Sequence, residues 1–189
     1  MAVTKIHPIK STLKKALDYI ENPDKTDEKL FVSSYGCSYE TADIEFQMLL
    51  DQAYQKGNNL AHHLIQAFEP GETTAEQAHE IGRQLADEVL QGKYPYVITT
   101  HIDKGHLHNH IYFNSTAFDR SRKFHNFIGS SFALRRLSDR VCIEHDLSYI
   151  QNPKQHSKGR FLHYGQWLGE KPPSAQQRVR LAIGEALGK

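Results

Sequence analysis

Four histidines fall within ten residues, at positions 101, 106, 108 and 110, and the pattern around them leaves few ways to fold. Residues 96–102 and 107–114 are rich in β-branched and aromatic side chains, which suit strands. Lys104-Gly105 lies between them as a two-residue hairpin turn. That turn sets a register in which Asp103 opposes His106, His101 opposes His108 and Thr99 opposes His110. Side chains alternate with period two. One face therefore carries His101, Asp103, His106, His108 and His110, and the other Ile98, Thr100, Ile102, Leu107, Asn109, Ile111 and Phe113. The apolar face is expected to pack on helices while the other gathers imidazoles.

Directly opposed Cβ atoms lie about 4.5–5.5 Å apart, so three imidazoles can converge on one ion with nitrogen bonds of about 2 Å. His101, His108 and His110 form the best triad. Three protein ligands leave coordination positions open, which suits a catalytic ion. A closed structural site with Asp103 or His106 as fourth ligand, and a merely polar strand, remain open as alternatives. Imidazole favours Zn, Ni, Cu or Fe, whereas a phosphate-handling site with open positions works equally with Mn or Mg. Asp103 is the nearest carboxylate. It can orient a ligand imidazole, take a proton, or simply shape the turn.

The remaining chain reads as mixed helix and strand without βαβ alternation. Strands are expected at residues 3–6, 30–33 and 60–68. Ser11-Thr12 starts a short helix with Leu13, Ala16, Leu17 and Ile20, which Pro23 ends. A helix over 41–56 is expected to turn Ile44, Met48 and Leu49 inward. Thr73 and Glu76 form a capping box before a helix that buries Ala78, Ile81, Leu85 and Val89. Another hairpin turns near 119–121. Ser130 or Ser131 starts a helix with Leu134, Leu137 and Val141 inward. The fold class is α+β, a largely antiparallel central sheet flanked by helices. No apolar run is long enough for a membrane span, residues 1–10 hold no apolar h-region, so a secretory leader is not expected, and Cys37 and Cys142 match no metal or redox spacing. A bacterial cytoplasmic location is the expectation.

His101-Ile102-Asp103 followed by His108-Asn109-His110 resembles the third motif of conjugative relaxases of the mobilisation P type, members of the His-hydrophobe-His endonucleases. His62-His63-Leu64-Ile65-Gln66-Ala67-Phe68-Glu69-Pro70-Gly71-Glu72 resembles the strand and turn before that family's helix. Ala16-Leu17-Asp18-Tyr19-Ile20 resembles its first motif, where the nucleophilic tyrosine sits. Asn109 departs from the pattern, because the position between the paired histidines is commonly apolar, so the packing behind that strand is expected to differ. The motif gives His106 no role.

The resemblance covers residues 1–165 and implies a catalytic domain over that range. Residues 166–189 then form a helical extension that begins a further region. It implies that Tyr19 attacks one phosphodiester of single-stranded DNA at an origin of transfer, forming a 5′-phosphotyrosine adduct and a free 3′-hydroxyl, and that rejoining reverses the step. A free phenol has a pKa near 10 and is a weak nucleophile at neutral pH. A divalent ion, Mg or Mn by expectation with Zn or Ni compatible, polarises the phosphate, and Asp103 receives the phenolic proton. Tyr35 and Tyr39 are the next candidate nucleophiles. Hairpin DNA beside the cleavage site, accessory relaxosome proteins and coupling proteins are the implied partners.

Charge is divided along the chain. Residues 1–95 hold 9 basic and 15 acidic side chains, and residues 96–189 hold 14 and 7. A basic half suits a polyanion. Arg120, Arg122, Lys123, Arg135, Arg136 and Arg140 are the candidate phosphate contacts, with Phe124, His125 and Phe127 able to stack on bases. Residues 154–160 add a basic arm. A rolling-circle initiator or single-strand transposase shares the chemistry, but these usually place the histidines before the tyrosine. A DNA-binding module with a structural metal and a metal-dependent phosphohydrolase are the remaining alternatives.

Overall fold

In the computed structural model, residues 2–27, 30–102, 105–127 and 129–150 are described, all within Met1–Gln151, the first of two units into which the chain divides. The expected boundary at 165, the extension over 166–189, the basic segment 154–160, and Asp103 and Lys104 lie outside the described residues.

Five strands make one antiparallel sheet: β1 (Val3–Ile9), β2 (Val32–Tyr35), β3 (Ala61–Ala67), β4 (Tyr96–His101) and β5 (His108–Asn114), in the order β1-β3-β5-β4-β2. The α-helices among the described residues are α1 (Leu13–Ile20), α2 (Ala42–Asp51), α3 (Ala75–Leu90) and α4 (Ser130–Glu144). The architecture is α+β, as the pattern of elements predicts. After β5 the chain turns back near Asp119, with Thr116 bridged to Lys123.

Period-two alternation divides the core into two layers. Leu13, Leu17 and Ile20 of α1 and Ala42, Phe46 and Leu50 of α2 pack on Ala61, Val97 and Tyr112. On the opposite face, Leu85, Ala86 and Leu90 of α3 and Leu134 of α4 pack on Leu64, Ile98, Ile111 and Phe113. Helices thus bury both faces, and the imidazole face is not a solvent face.

Three local expectations are corrected. In α2, Ile44 and Met48 are 58% and 56% exposed, and the buried stripe is Ala42, Phe46 and Leu50. Both sets recur at helical spacing, and the sheet selects the one whose aromatic ring fills the space against Val97 and Tyr112. In α3, Thr74 is the N-cap, accepting from the Gln77 amide at 3.2 Å, so the cap lies one residue beyond the Thr73 to Glu76 box. Before α1, Thr12 adopts a left-handed conformation (φ 54°) and makes no side-chain cap.

Behind the hairpin, Asn109 joins a buried polar network rather than an apolar layer. Thr100 Oγ1 donates to Asn109 Oδ1 (2.7 Å), and Asn109 Nδ2 donates to Ala78 O (2.7 Å) and Gln66 Oε1 (3.1 Å). Gln66 Nε2 donates to Ser138 Oγ (2.9 Å). The Thr100 proton is committed to Asn109, so His79 Nδ1 donates to Thr100 Oγ1 (2.9 Å) and its Nε2 accepts from Ser33 (2.7 Å). A side chain at Gly82 would meet Asn109 Nδ2 at 2.4 Å and Ile98 Cδ1 at 2.6 Å, so the glycine gives Asn109 its room.

Candidate metal centre

The predicted register is the observed one: His101 pairs with His108, and Thr99 with His110. Both strands turn these positions toward α1 and α2, and all three rings are buried. One ring nitrogen from each lies within 4.8 Å of the others. Ring centroids are 4.3 Å apart for His101 and His110, 4.9 Å for His108 and His110, and 5.1 Å for His101 and His108.

Each of the three rings also has a protein partner. His101 Nε2 lies 2.8 Å from the Ile20 carbonyl, to which it must donate, because a carbonyl only accepts. His110 Nδ1 lies 2.7 Å from His63 Nε2. His108 Nδ1 makes a longer contact, 3.4 Å, to the His106 carbonyl. Nitrogen donors this close, with rings oriented by outer hydrogen bonds, fit a divalent cation. Burial holds His63 uncharged, with its pKa lowered to about 3; the neighbouring His7 and His101 add to this.

Tyr19 reaches this cluster because of how α1 ends. Leu13, Leu17 and Ile20 point into the core, which leaves Tyr19 on the flank, 51% exposed. Pro23 stops the helix and opens a tight turn, Pro23–Lys25, capped by Asn22, whose Oδ1 accepts from the Asp24 amide at 3.0 Å. The Ile102 amide then donates to Lys25 O at 2.9 Å, fastening the turn to the end of β4. The Tyr19 ring lies 6.1 Å from that of His101 and 6.2 Å from that of His110. Lys25 Nζ sits 4.2 Å from the Tyr19 ring centroid.

Tyr35, Tyr96 and Tyr112 are placed differently. Tyr35 stacks on Tyr96, and the Tyr96 hydroxyl donates to Asp87 at 2.8 Å. Tyr112 packs 4.4 Å from His63, and burial, with Tyr19 adding, pushes its hydroxyl up to about 12.

The candidate phosphate-binding cations do not gather at the imidazoles. Lys123 Nζ is held by Asn59 O (3.0 Å) and Ser115 Oγ (3.3 Å). Arg135 pairs with Asp139, and Arg140 with Glu88 of α3, on the face away from the histidines. Arg120, Arg122 and Arg136 are exposed. His63, Lys25 and the Ile20 carbonyl were not singled out by sequence. The adjacent pair His62-His63 carries a partial signal, because neighbours in a strand face opposite sides and one of them must face the imidazole layer.

Comparison with known proteins first defines the class. The structure matches the MobM relaxase domain (MOBV; Mob_Pre), solved Mn-bound with plasmid pMV158 oriT DNA, at a TM-score of 0.65, with 9% identity over 89% of this chain and 98% of that one. The fold is that of a relaxase domain. Residues 19–147 match the family described as relaxase, MobA/VirD2-like, nuclease domain, and the chain belongs to that family. Protein rlx of Staphylococcus aureus is 32% identical over 161 residues, 85% of this chain and 46% of that protein. The group II intron-interrupted relaxase LtrB of Lactococcus lactis subsp. cremoris is 33% identical, over 86% of this chain and 35% of that protein. The chain spans about half the length, or less, of these two relatives.

Proposed function

We propose that the chain nicks and rejoins one strand of DNA at an origin of transfer, with Tyr19 as nucleophile and His101, His108 and His110 as ligands of a divalent metal. One observation carries the reading: the Tyr19 ring stands 6.1 and 6.2 Å from two of three imidazoles whose nitrogens converge within 4.8 Å. The bound ion, Mn or Mg, would supply polarisation of the non-bridging phosphate oxygens. The chain does the rest. The outer hydrogen bonds to Ile20, His63 and His106 orient the rings. The tie between Ile20 and His101 registers the helix end that bears Tyr19 on the ligand layer. The phenolic oxygen forms a bond to phosphorus while the bond to the 3′-oxygen breaks. The phenol gives up its proton, with Asp103 the assigned acceptor, and the leaving oxygen takes one up. The product is a 5′-phosphotyrosine ester, and rejoining is the same exchange reversed.

Arg120, Arg122 and Arg136 are assigned to phosphate neutralisation along the bound strand or its hairpin. Lys123, Arg135 and Arg140 join them only by leaving their present partners. Accessory relaxosome and coupling proteins complete the assembly, and the catalytic domain ends near residue 165.

The test is mass spectrometry of the protein after incubation with an origin oligonucleotide and Mn or Mg. A covalent adduct that Tyr19→Phe lacks supports the proposal. Free 5′-phosphate with turnover and no adduct makes the protein a phosphohydrolase, and binding without cleavage makes the metal structural.

A further inference from the structure

His63 is a buried histidine in contact with a ring of the proposed ligand triad, and the nicking reaction gives it no chemical step. Two imidazole nitrogens 2.7 Å apart must share one proton, and only two arrangements exist. If His63 donates from Nε2, His110 carries its own proton on Nε2 and has no lone pair there for a cation. If His110 donates from Nδ1, its Nε2 is left as a donor atom, and His63 keeps its proton on Nδ1.

We infer that His63 is a positioning residue, an acceptor that fixes the Nδ1–H tautomer of His110 and thereby leaves Nε2 to a divalent cation. The inference rests on the metal-binding reading of the same site.

The fold supplies the acceptor with little freedom to move. His63 pairs across the ladder with Tyr112 of β5 and His7 of β1. Its ring packs 4.4 Å from Tyr112 and 6.2 Å from His7. Metal-bound histidines commonly rest their second nitrogen on a carboxylate or a carbonyl. For His101 and His108 the contacts are to backbone carbonyls, and for His110 the contact is to an imidazole.

Two measurements test this on the intact chain. Nitrogen-15 spectra of histidine-labelled, metal-free protein should find His110 protonated on Nδ1, and His63→Phe should shift the proton toward Nε2. Calorimetric titration with Mn²⁺ should give about 10–100-fold weaker binding in His63→Phe, with part of the loss recovered in His63→Gln, which restores an acceptor. Near-ultraviolet circular dichroism checks that each variant is folded. Nε2 protonation of His110 in the unsubstituted protein overturns the inference, and so does Mn²⁺ affinity in His63→Phe equal to that of the parent. If the parent binds no Mn²⁺, the metal reading fails, and the spectra alone still decide the tautomer.

Discussion

Replacing Asn109 with valine restores the apolar residue type that this position commonly carries, and in this chain it should be costly. The amide is the node of the network behind the hairpin. Its removal takes the acceptor from the Thr100 hydroxyl, a donor from Gln66 Oε1 and the second donor from Ala78 O. Thr100 and Gln66 are both completely buried, so water cannot replace what is lost. An orphaned buried polar group costs about 1–3 kcal/mol. Thr100 can recover part of this by reversing the proton order through His79 and Ser33. Two orphaned groups, one partly relieved, give a net loss of about 2–4 kcal/mol. For a chain of this size each kcal/mol moves the midpoint by about 2–4 °C, so calorimetric unfolding should fall by about 5–15 °C. Replacing all three side chains, with Asn109→Leu, Gln66→Leu and Thr100→Val together, removes both orphaned groups while His79 Nδ1 and Ser138 Oγ each lose a partner, and should recover part of the loss. A single Asn109→Val variant within about 1 °C of the parent would refute the reasoning, because the bonds at 2.7 Å would then contribute nothing measurable.

Further outcomes follow from the same contacts. Gly82→Ala gains about 1 kcal/mol of helix propensity, yet its Cβ meets Asn109 and Ile98 below 3 Å. It should lower the unfolding midpoint, and Asn109→Ala in the same chain should relieve part of that loss; additive effects in a double-mutant cycle would rule the clash out. His62 is fully buried, has no hydrogen-bond partner on either ring nitrogen among the described residues, and has a pKa lowered from 6.5 to about 4 by burial, with Lys123 adding. Between those values the unfolded chain binds a proton that the folded chain does not, so stability falls as pH drops from about 6.5 to 4. His62→Phe should be the more stable form by about 1–3 kcal/mol and should flatten that stretch of a urea-unfolding pH series; an unchanged slope counts against it. Lys25→Met removes the cation over the Tyr19 ring, a contact of about 0.5–1 kcal/mol. Adduct formation should slow about 2–5-fold in single-turnover assays and recover in Lys25→Arg, and no recovery would mean that the charge is not what matters.

The imidazole triad was legible because it lies on one hairpin. Parity and a turn at Lys104-Gly105 suffice to set His101 against His108, and no distant residue can alter that alternation without breaking the ladder. Tyr19 was legible for a different reason, since a short helix that buries Leu13, Leu17 and Ile20 must leave residue 19 on its flank. Its placement beside His101 still depends on contacts between residues far apart in sequence, the Ile20 carbonyl on His101 and Lys25 O on Ile102. The same dependence explains the misread face of α2. Ile44 with Met48, and Ala42 with Phe46 and Leu50, both satisfy helical spacing, and only the sheet beneath selects between them. His63 was hidden more deeply, because its register with Tyr112 follows from a strand order, β3 beside β5, that no local signal encodes. Local alternation therefore specifies which groups point at the centre, while long-range pairing specifies which groups hold them there. That division predicts that substitutions in the outer layer, at His63 or at the Ile20 contact, will change how tightly the centre is held before they change what it can do.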